Sequence, residues 1–179
     1  YDVSAFGLIY AGAQKNVAPA GLTVAIVRDD LVGKAMDITP VMLNYKTHVD
    51  GGSLYNTPPC YCIYIARLVF ALLLKEGGVA AMQARNEEKA GLLYEFLDNA
   101  RLFKGTVVPE HRSLMNLPFV CPTEELNAAF IKEAEGEGLV NLKGHRTVGG
   151  MRASIYNAMP KAGVEKLVDF MKRFEKANA

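Results

Sequence analysis

Cysteine is scarce in this sequence, and what it has does not form a pattern. Three cysteines, Cys60, Cys62 and Cys121, lie among 179 residues. Such an odd, sparse set excludes a disulfide framework and favours a reducing compartment over secretion. Neither a second cysteine pair nor a well-spaced histidine accompanies Cys60 and Cys62, so we expect no metal site and predict that both side chains pack in the core.

Net charge and long apolar runs are also lacking. The formal net charge of +1 provides no basic field, which argues against nucleic acid and against a membrane surface as partners. The most apolar span, residues 63–74, is too short to cross a bilayer and predicts a buried helix. The chain opens without a methionine or a signal peptide and soon enters an apparent strand. We therefore expect a cytoplasmic chain that begins within a fold.

Half of the residues are hydrophobic, which is enough to bury a core in one domain or in two small ones. The apolar runs 6–11 and 22–27 predict two strands, and the turn-forming residues between them predict a tight loop around Lys15. Lys15 should then lie where a buried strand ends. Partial burial would lower the pKa of this lysine and make its amine available as a nucleophile. The alternative is a loop lysine that points into water.

The rest of the chain alternates between helical and strand patterns, which is typical of an α/β fold. We predict an ordered loop over 31–52 and a helix that Thr57 caps and that ends near Lys75. A second helix over 79–99 should place Lys89 and its charged neighbours outward. Further predictions are strands over 106–109, 114–120, 139–142 and 152–156, a helix capped by Thr123, and a last helix opened by Pro160. The pair Gly77–Gly78 is the predicted boundary between domains 1–77 and 78–179.

Two polar stretches are candidate binding sites. Residues 53–59 put small polar side chains before a helix N-terminus, whose free N–H groups attract anions. The alternative is an ordinary cap with no ligand. Residues 144–157 place two arginines and a histidine among glycines, which suits an acidic small molecule. The alternative there is a flexible loop with surface arginines.

Three motifs together carry a resemblance to a known family. They are residues 10–16 (YAGAQKN), residues 55–59 (YNTPP) and residues 144–160 (GHRTVGGMRASIYNAMP). In this order and at this spacing they resemble the phosphoserine aminotransferases, which belong to the class-V aminotransferases. The resemblance runs over essentially the whole sequence but covers only the C-terminal half of such an enzyme. It implies a pyridoxal-phosphate enzyme of the aspartate-aminotransferase-like fold, acting as a homodimer, with residues 1–77 ending the large domain and 78–179 forming the small α/β domain.

The resemblance also implies how this chain would hold the cofactor. Lys15 would form the Schiff base with pyridoxal 5'-phosphate and would shuttle the proton during the reaction. Gln14 would contact the cofactor near its phosphate. Asn56 and Thr57 resemble the pair that reaches across the dimer interface to the phosphate of the other subunit's cofactor. This last role agrees with the anion site predicted at residues 53–59, before the helix that Thr57 caps.

The remaining site residues would bind the substrates. Arg152 matches the arginine that holds the α-carboxylate, and His145 and Arg146 match residues that bind the phosphate or distal carboxylate. The implied reaction transfers the amino group of glutamate to 3-phosphohydroxypyruvate, giving phosphoserine and 2-oxoglutarate in serine biosynthesis. Each of these substrates carries an α-carboxylate and a second anionic group, which explains an arginine-rich loop.

The sequence also lacks parts that the family needs. It has no tryptophan, although the family stacks one on the cofactor ring. The upstream half, with the carboxylate that pairs with the pyridine nitrogen, is absent as well, so we expect the chain alone to be a poor catalyst. Two alternatives stay open at this point. One is a folded, non-catalytic fragment that acts only as an interaction or dimerisation unit, and the other is a different class-V pyridoxal-phosphate aminotransferase.

Overall fold

The computed structural model describes residues 2–179, so Tyr1, the first residue of the predicted large-domain segment, lies outside the described residues. The chain forms two compact units, Tyr1–Leu73 and Leu74–Ala179, called here the first and the second unit. The change of unit falls inside one helix. The boundary at Gly77–Gly78 between functional domains stays a prediction.

The first unit opens with a hairpin of two strands. β1 (Leu8–Gly12) pairs antiparallel with β2 (Thr23–Val27), in a register that sets Leu8 opposite Val27. This confirms the two predicted strands and the loop between them. The predicted burial of the strand before Lys15 was wrong, because most side chains of both strands are exposed.

A short helix, α1 (Tyr45–Asp50), lies where a loop was predicted. Polar contacts stabilise it: the Asn44 side chain accepts a hydrogen bond from the Lys46 N–H at 3.0 Å, and Lys46 forms an ion pair with Asp50 one turn later. Such contacts leave no apolar periodicity in the sequence, since caps and charge pairs act on a solvent-exposed helix. The loop prediction was therefore wrong over residues 45–50.

The long helix α2 (Cys60–Lys75) begins later than predicted. The Pro59 carbonyl accepts the first helical hydrogen bond, from the Ile63 N–H at 3.1 Å, so Pro59 rather than Thr57 occupies the cap position. The helix was also predicted to be buried, and within the described chain only Cys62 and Ala66 are. Cys60 is exposed, contrary to the core role predicted for it. One side of α2 has neighbours in the first unit, and its other apolar side chains face outward.

The second unit is an antiparallel sheet with three helices. Its elements are α3 (Gly78–Asn99), β3 (Lys104–Gly105), β4 (Asn116–Val120), α4 (Glu124–Gly136), β5 (Met151–Ser154) and α5 (Lys161–Asn178), with strand order β3-β4-β5. The predicted strand over 106–109 was wrong, since β3 ends at Gly105 and a 3₁₀ turn begins at Pro109. The predicted strand over 139–142 is absent too. In its place an isolated antiparallel bridge joins Lys143 to Met151, and the Arg152 N–H donates to the Leu142 carbonyl at 2.7 Å beside it.

Aromatic rings fill the core of the second unit. Phe130 lies at its centre with a fully buried side chain, and its ring contacts four others, those of Phe103, Phe119, Phe170 and Phe174. The helix predictions are confirmed around this cluster: Thr123 caps α4 by accepting from the Leu126 N–H, and α5 follows Pro160. The predicted apolar face of α5 is buried in the cluster.

Lys89 of α3 was predicted to point outward, and that prediction was wrong. Its side chain is only 3% exposed, and its Nζ donates to the carbonyl oxygens of Ile155, Tyr156 and Met159 at 3.4, 3.0 and 3.0 Å. Burial lowers the pKa of this lysine. The ammonium thus holds the segment that follows β5 against α3.

Candidate active site

The loop that carries Lys15 is a closed turn between β1 and β2. The Ala13 carbonyl accepts hydrogen bonds from the N–H groups of Val17 and Ala18, at 3.2 and 2.8 Å, and the Ala13 N–H donates to the Leu22 carbonyl. Within this turn Lys15 has a φ of +88°, in the left-handed region that side-chain-bearing residues rarely adopt. The surrounding hydrogen bonds hold the lysine in that conformation.

The lysine loop packs on helix α2. Ala13 and Ala18 are buried together with Ala66 of the helix, and Cys62 Sγ lies 3.3 Å from the Ala20 carbonyl. Small side chains at these positions let the loop backbone approach the helix closely. The loop therefore has a rigid support, although Lys15 itself is exposed in this chain. In this chain the exposure of Lys15 agrees with the alternative of a solvent-exposed loop lysine and not with partial burial.

Gln14 lies in the lysine loop, and Asn56 and Thr57 lie just before α2. The Gln14 carboxamide folds over Gly12, so closely that a Cβ on residue 12 would lie 2.7 Å from Oε1. Asn56 and Thr57 are exposed and precede α2, and the Asn56 amide donates to the Thr57 carbonyl at 3.3 Å. The first turns of α2 support the lysine loop. Asn56 and Thr57 lie in the segment that leads into the same helix.

The second candidate segment, residues 144–150, is a tight loop that projects from the sheet. The Gly144 N–H donates to the Gly150 carbonyl at 2.8 Å, which closes the loop at its base. His145 and Arg146 are exposed at the tip. The His145 Nδ1 lies 2.8 Å from Thr147 Oγ1 and 3.4 Å from the Thr147 nitrogen. Since a backbone N–H only donates, Nδ1 accepts in its contact with the Thr147 nitrogen.

Replacing Gly144 with alanine is expected to disrupt this loop. A Cβ at residue 144 would overlap the Gly149 carbonyl oxygen, so the loop base must open. We expect a loss of about 1–2 kcal/mol in the free energy of unfolding and faster tryptic cleavage after Arg146. Denaturant unfolding and timed digestion measure the two effects.

Gly91→Ala is the matched control, because a Cβ at that α3 position has no neighbour within 4 Å. Alanine there is expected to stabilise the helix by about 0.5–1 kcal/mol. Equal digestion rates for Gly144→Ala and the unmodified chain would contradict the steric role of Gly144.

Arg152 lies on β5, at the base of the same loop. Its side chain is half-buried, and its Nε donates to Ser154 Oγ at 3.1 Å. Ser154 in turn lies next to Asn116 of β4. Sequence reasoning missed both partners. Ser154 could have been found from the two-residue spacing that puts it on the same strand face as Arg152, whereas Asn116 is brought there by cross-strand pairing alone.

The predicted site residues fall into two groups. The structure brings Lys15 and Gln14 together in the first unit, with Asn56 and Thr57 at the start of the supporting helix. It places His145 and Arg146 in the loop 144–150 of the second unit and Arg152 on β5, the strand that follows this loop. No group of three or more metal-ligating side chains occurs among residues 2–179. None of the helices in this part of the chain has the length and the apolar character needed to span a bilayer.

Comparisons with known proteins give one consistent result. Residues 1–167 match the profile of the aminotransferase class-V family. The chain is 58% identical to a phosphoserine aminotransferase of Bacillus cereus over 178 residues, which are 99% of this chain and 49% of the relative. It is 60% identical to the chloroplastic phosphoserine aminotransferase 2 of Arabidopsis thaliana, over 99% of this chain and 42% of that protein. The chain thus spans about half the length of the curated relatives it matches.

Solved structures agree. The phosphoserine aminotransferase of Bacillus circulans subsp. alkalophilus superposes with a TM-score of 0.96 at 47% identity, over 100% of this chain and 50% of that one. A PLP-bound phosphoserine aminotransferase from Trichomonas vaginalis gives a TM-score of 0.91 at 39% identity, over 96% of this chain and 49% of that one. These likenesses confirm the predicted α/β fold.

Proposed function

Because this chain belongs to the class-V aminotransferase family, we propose that it forms the C-terminal half of a phosphoserine aminotransferase. The complete enzyme would transfer the amino group of glutamate to 3-phosphohydroxypyruvate, giving phosphoserine and 2-oxoglutarate for serine biosynthesis. Its relatives of about twice this length carry that name.

The observation that carries the proposal is the conformation of Lys15. Lys15 has a φ of +88°, which is a strained backbone conformation. The hydrogen bonds of the closed turn maintain this strain. Such strained residues cluster at active sites, because the surrounding structure must over-determine them. A primary amine presented in this way suits covalent attachment to a carbonyl compound.

The side chains near Lys15 fit pyridoxal phosphate by their chemistry. Lys15 offers the amine that reacts with the aldehyde of that cofactor, and Gln14, Asn56 and Thr57 offer neutral hydrogen-bond donors suited to its polar groups and its phosphate. Bound pyridoxal phosphate supplies an electron sink for charge that develops on the substrate α-carbon. Nζ of Lys15 would serve as the base that takes the proton from the substrate α-carbon and gives it back in the course of the transfer.

The second unit would bind the substrates. Arg152 presents two guanidinium nitrogens beyond its bond to Ser154, and this fork matches a carboxylate. His145 and Arg146 would hold the second anionic group of either substrate. A transaminase must accept two such substrates in turn, and one set of cations serves both.

The proposal extends to assembly and location. We propose a homodimer in which Asn56 and Thr57 of each subunit reach the cofactor phosphate of the other, and the exposure of both residues is compatible with that reach. The balanced charge supports partners that are small molecules rather than nucleic acid or membrane. The sparse free cysteines support a cytoplasmic location.

Substrate preference tests the proposal. In the full-length protein, amino transfer to 2-oxoglutarate should be at least about 10²-fold faster in kcat/KM from O-phosphoserine than from serine or alanine, because the phosphate adds a charged contact. Steady-state rates on the three donors measure this preference. Equal rates would instead assign the protein to another class-V aminotransferase activity.

A further inference from the structure

We infer that Ser154 and Asn116 are positioning residues that orient the guanidinium of Arg152 so that it binds a carboxylate through its two terminal nitrogens. The inference rests on the proposed function, which gives Arg152 the substrate α-carboxylate. It adds a reason why that arginine points in one direction.

A short hydrogen-bond chain links the three residues. Arg152 Nε lies 3.1 Å from Ser154 Oγ, and Ser154 Oγ lies 3.2 Å from Asn116 Oδ1. The Tyr156 hydroxyl lies 3.1 Å from the same Asn116 oxygen. Asn116 and Ser154 are direct partners across the β4–β5 ladder, so the sheet itself sets the distance between their side chains.

The direction of each of these three hydrogen bonds is determined. A guanidinium nitrogen only donates, so Ser154 Oγ accepts from Arg152 and gives its own proton to Asn116 Oδ1. That carbonyl oxygen has two lone pairs and accepts from Tyr156 as well. No member can reverse its role without losing a bond, which makes the arrangement rigid.

The opposite face of the strands anchors the network. Leu117 and Ala153, which alternate with these polar residues, are buried in the aromatic core. Because side chains alternate across a strand, the buried face fixes which face carries Asn116, Arg152 and Ser154. The network therefore lies on strands whose opposite face is part of the core of the second unit.

The consequence concerns how a carboxylate approaches. With Nε engaged by Ser154, a ligand cannot use the side-on pair of Nε and one terminal nitrogen. Neither terminal nitrogen of Arg152 has a hydrogen bond among the described residues, so both are available for end-on, two-point binding. A guanidinium that is already oriented loses less conformational freedom when the ligand binds.

Ser154→Ala in the full-length enzyme tests the inference. We expect KM for both glutamate and phosphoserine to rise about three- to tenfold, the effect of one lost hydrogen bond to a charged group. The kcat should stay within about twofold, because the carboxylate contact is the same in ground and transition states. The melting temperature should be unchanged, and Ser154→Thr, which keeps the hydroxyl on a strand-compatible side chain, should restore KM.

Two further variants make each outcome decisive. Asn116→Ala should raise KM in the same way as Ser154→Ala, and Arg152→Lys should raise it more than either. An unchanged KM in Ser154→Ala beside a raised KM in Arg152→Lys would overturn the inference and leave the proposed function standing. A fall in kcat or in melting temperature at constant KM would show a merely structural role and would also overturn it. Failure of the proposed function is seen separately, as loss of the preference for phosphoserine.

Discussion

Lys15→Ala in the full-length protein is expected to lose about 10²- to 10⁴-fold in kcat, the range contributed by a positioned proton-transferring group. The reason is that Lys15 is the amine held in the strained turn between β1 and β2, and no other lysine lies in residues 8–27. The loss should appear with phosphoserine and with glutamate as donor. Coupled steady-state assays at saturating pyridoxal phosphate measure it.

Lys15→Arg and Lys34→Ala are the matched controls. Arginine keeps the length and the positive charge at residue 15 but has no primary amine, so it should be as inactive as alanine. Lys34 is an exposed lysine of the same unit, and its replacement should change kcat by less than about twofold. Substantial transaminase activity in Lys15→Ala would remove the central residue of the proposal.

A covalent map on the 179-residue chain complements the kinetics. The chain is mixed with pyridoxal phosphate, reduced with borohydride and digested, and the labelled peptide is found by mass. A single adduct on Lys15 would mean that the loop, supported by Ala66 of α2, binds the cofactor without the other half of the enzyme. Labels scattered over surface lysines would mean that the complete dimer is needed to form the site.

Lys89→Met is expected to lower the free energy of unfolding by about 2–3 kcal/mol, the cost of leaving buried partners of a charged hydrogen-bond donor unsatisfied. Methionine fills the volume but cannot donate to the carbonyls of Ile155, Tyr156 and Met159, which the ammonium now joins. Denaturant unfolding of the full-length protein at neutral pH measures the loss.

The pH dependence of that difference has a definite sign. Burial lowers the pKa of folded Lys89 below its ordinary value of 10.5. Between the two pKa values the unfolded chain keeps a proton that the folded chain has released, so the stability of wild type relative to Lys89→Met rises as pH approaches 10.5.

Lys172→Met is the control, because this lysine is exposed on α5 and makes only a loose ion pair with Asp169. Lys172→Met should leave the free energy of unfolding almost unchanged, both at neutral pH and as pH approaches 10.5. If Lys89→Met were as stable as wild type, the ammonium would have no anchoring role, and the segment after β5 would be held by its other contacts, among them the hydrogen bond from Asn86 to Asn157.

The sequence by itself determined the local elements that have strong periodicity. α3, α4 and α5 lie close to their predicted bounds, because the apolar spacing of an amphipathic helix is encoded within a few turns of chain. At α4 the capping residue Thr123 adds a second local signal. The three motifs likewise pointed to the family, since each depends on residue types at fixed short spacing. The hairpin around Lys15 was found for the same reason.

Only the tertiary structure decided how polar groups are buried. Lys89 reads as a surface lysine, and it is buried because three carbonyls that follow β5, more than 60 residues later in the chain, meet its ammonium. Asn116 enters the neighbourhood of Arg152 through strand pairing across 38 residues. α2 reads as a buried helix, yet its outer faces are exposed, because burial depends on which chain segments cover a surface and not on the hydrophobicity of that surface. Contacts between residues far apart in sequence leave no periodic signal, and these are the contacts that orient the candidate site.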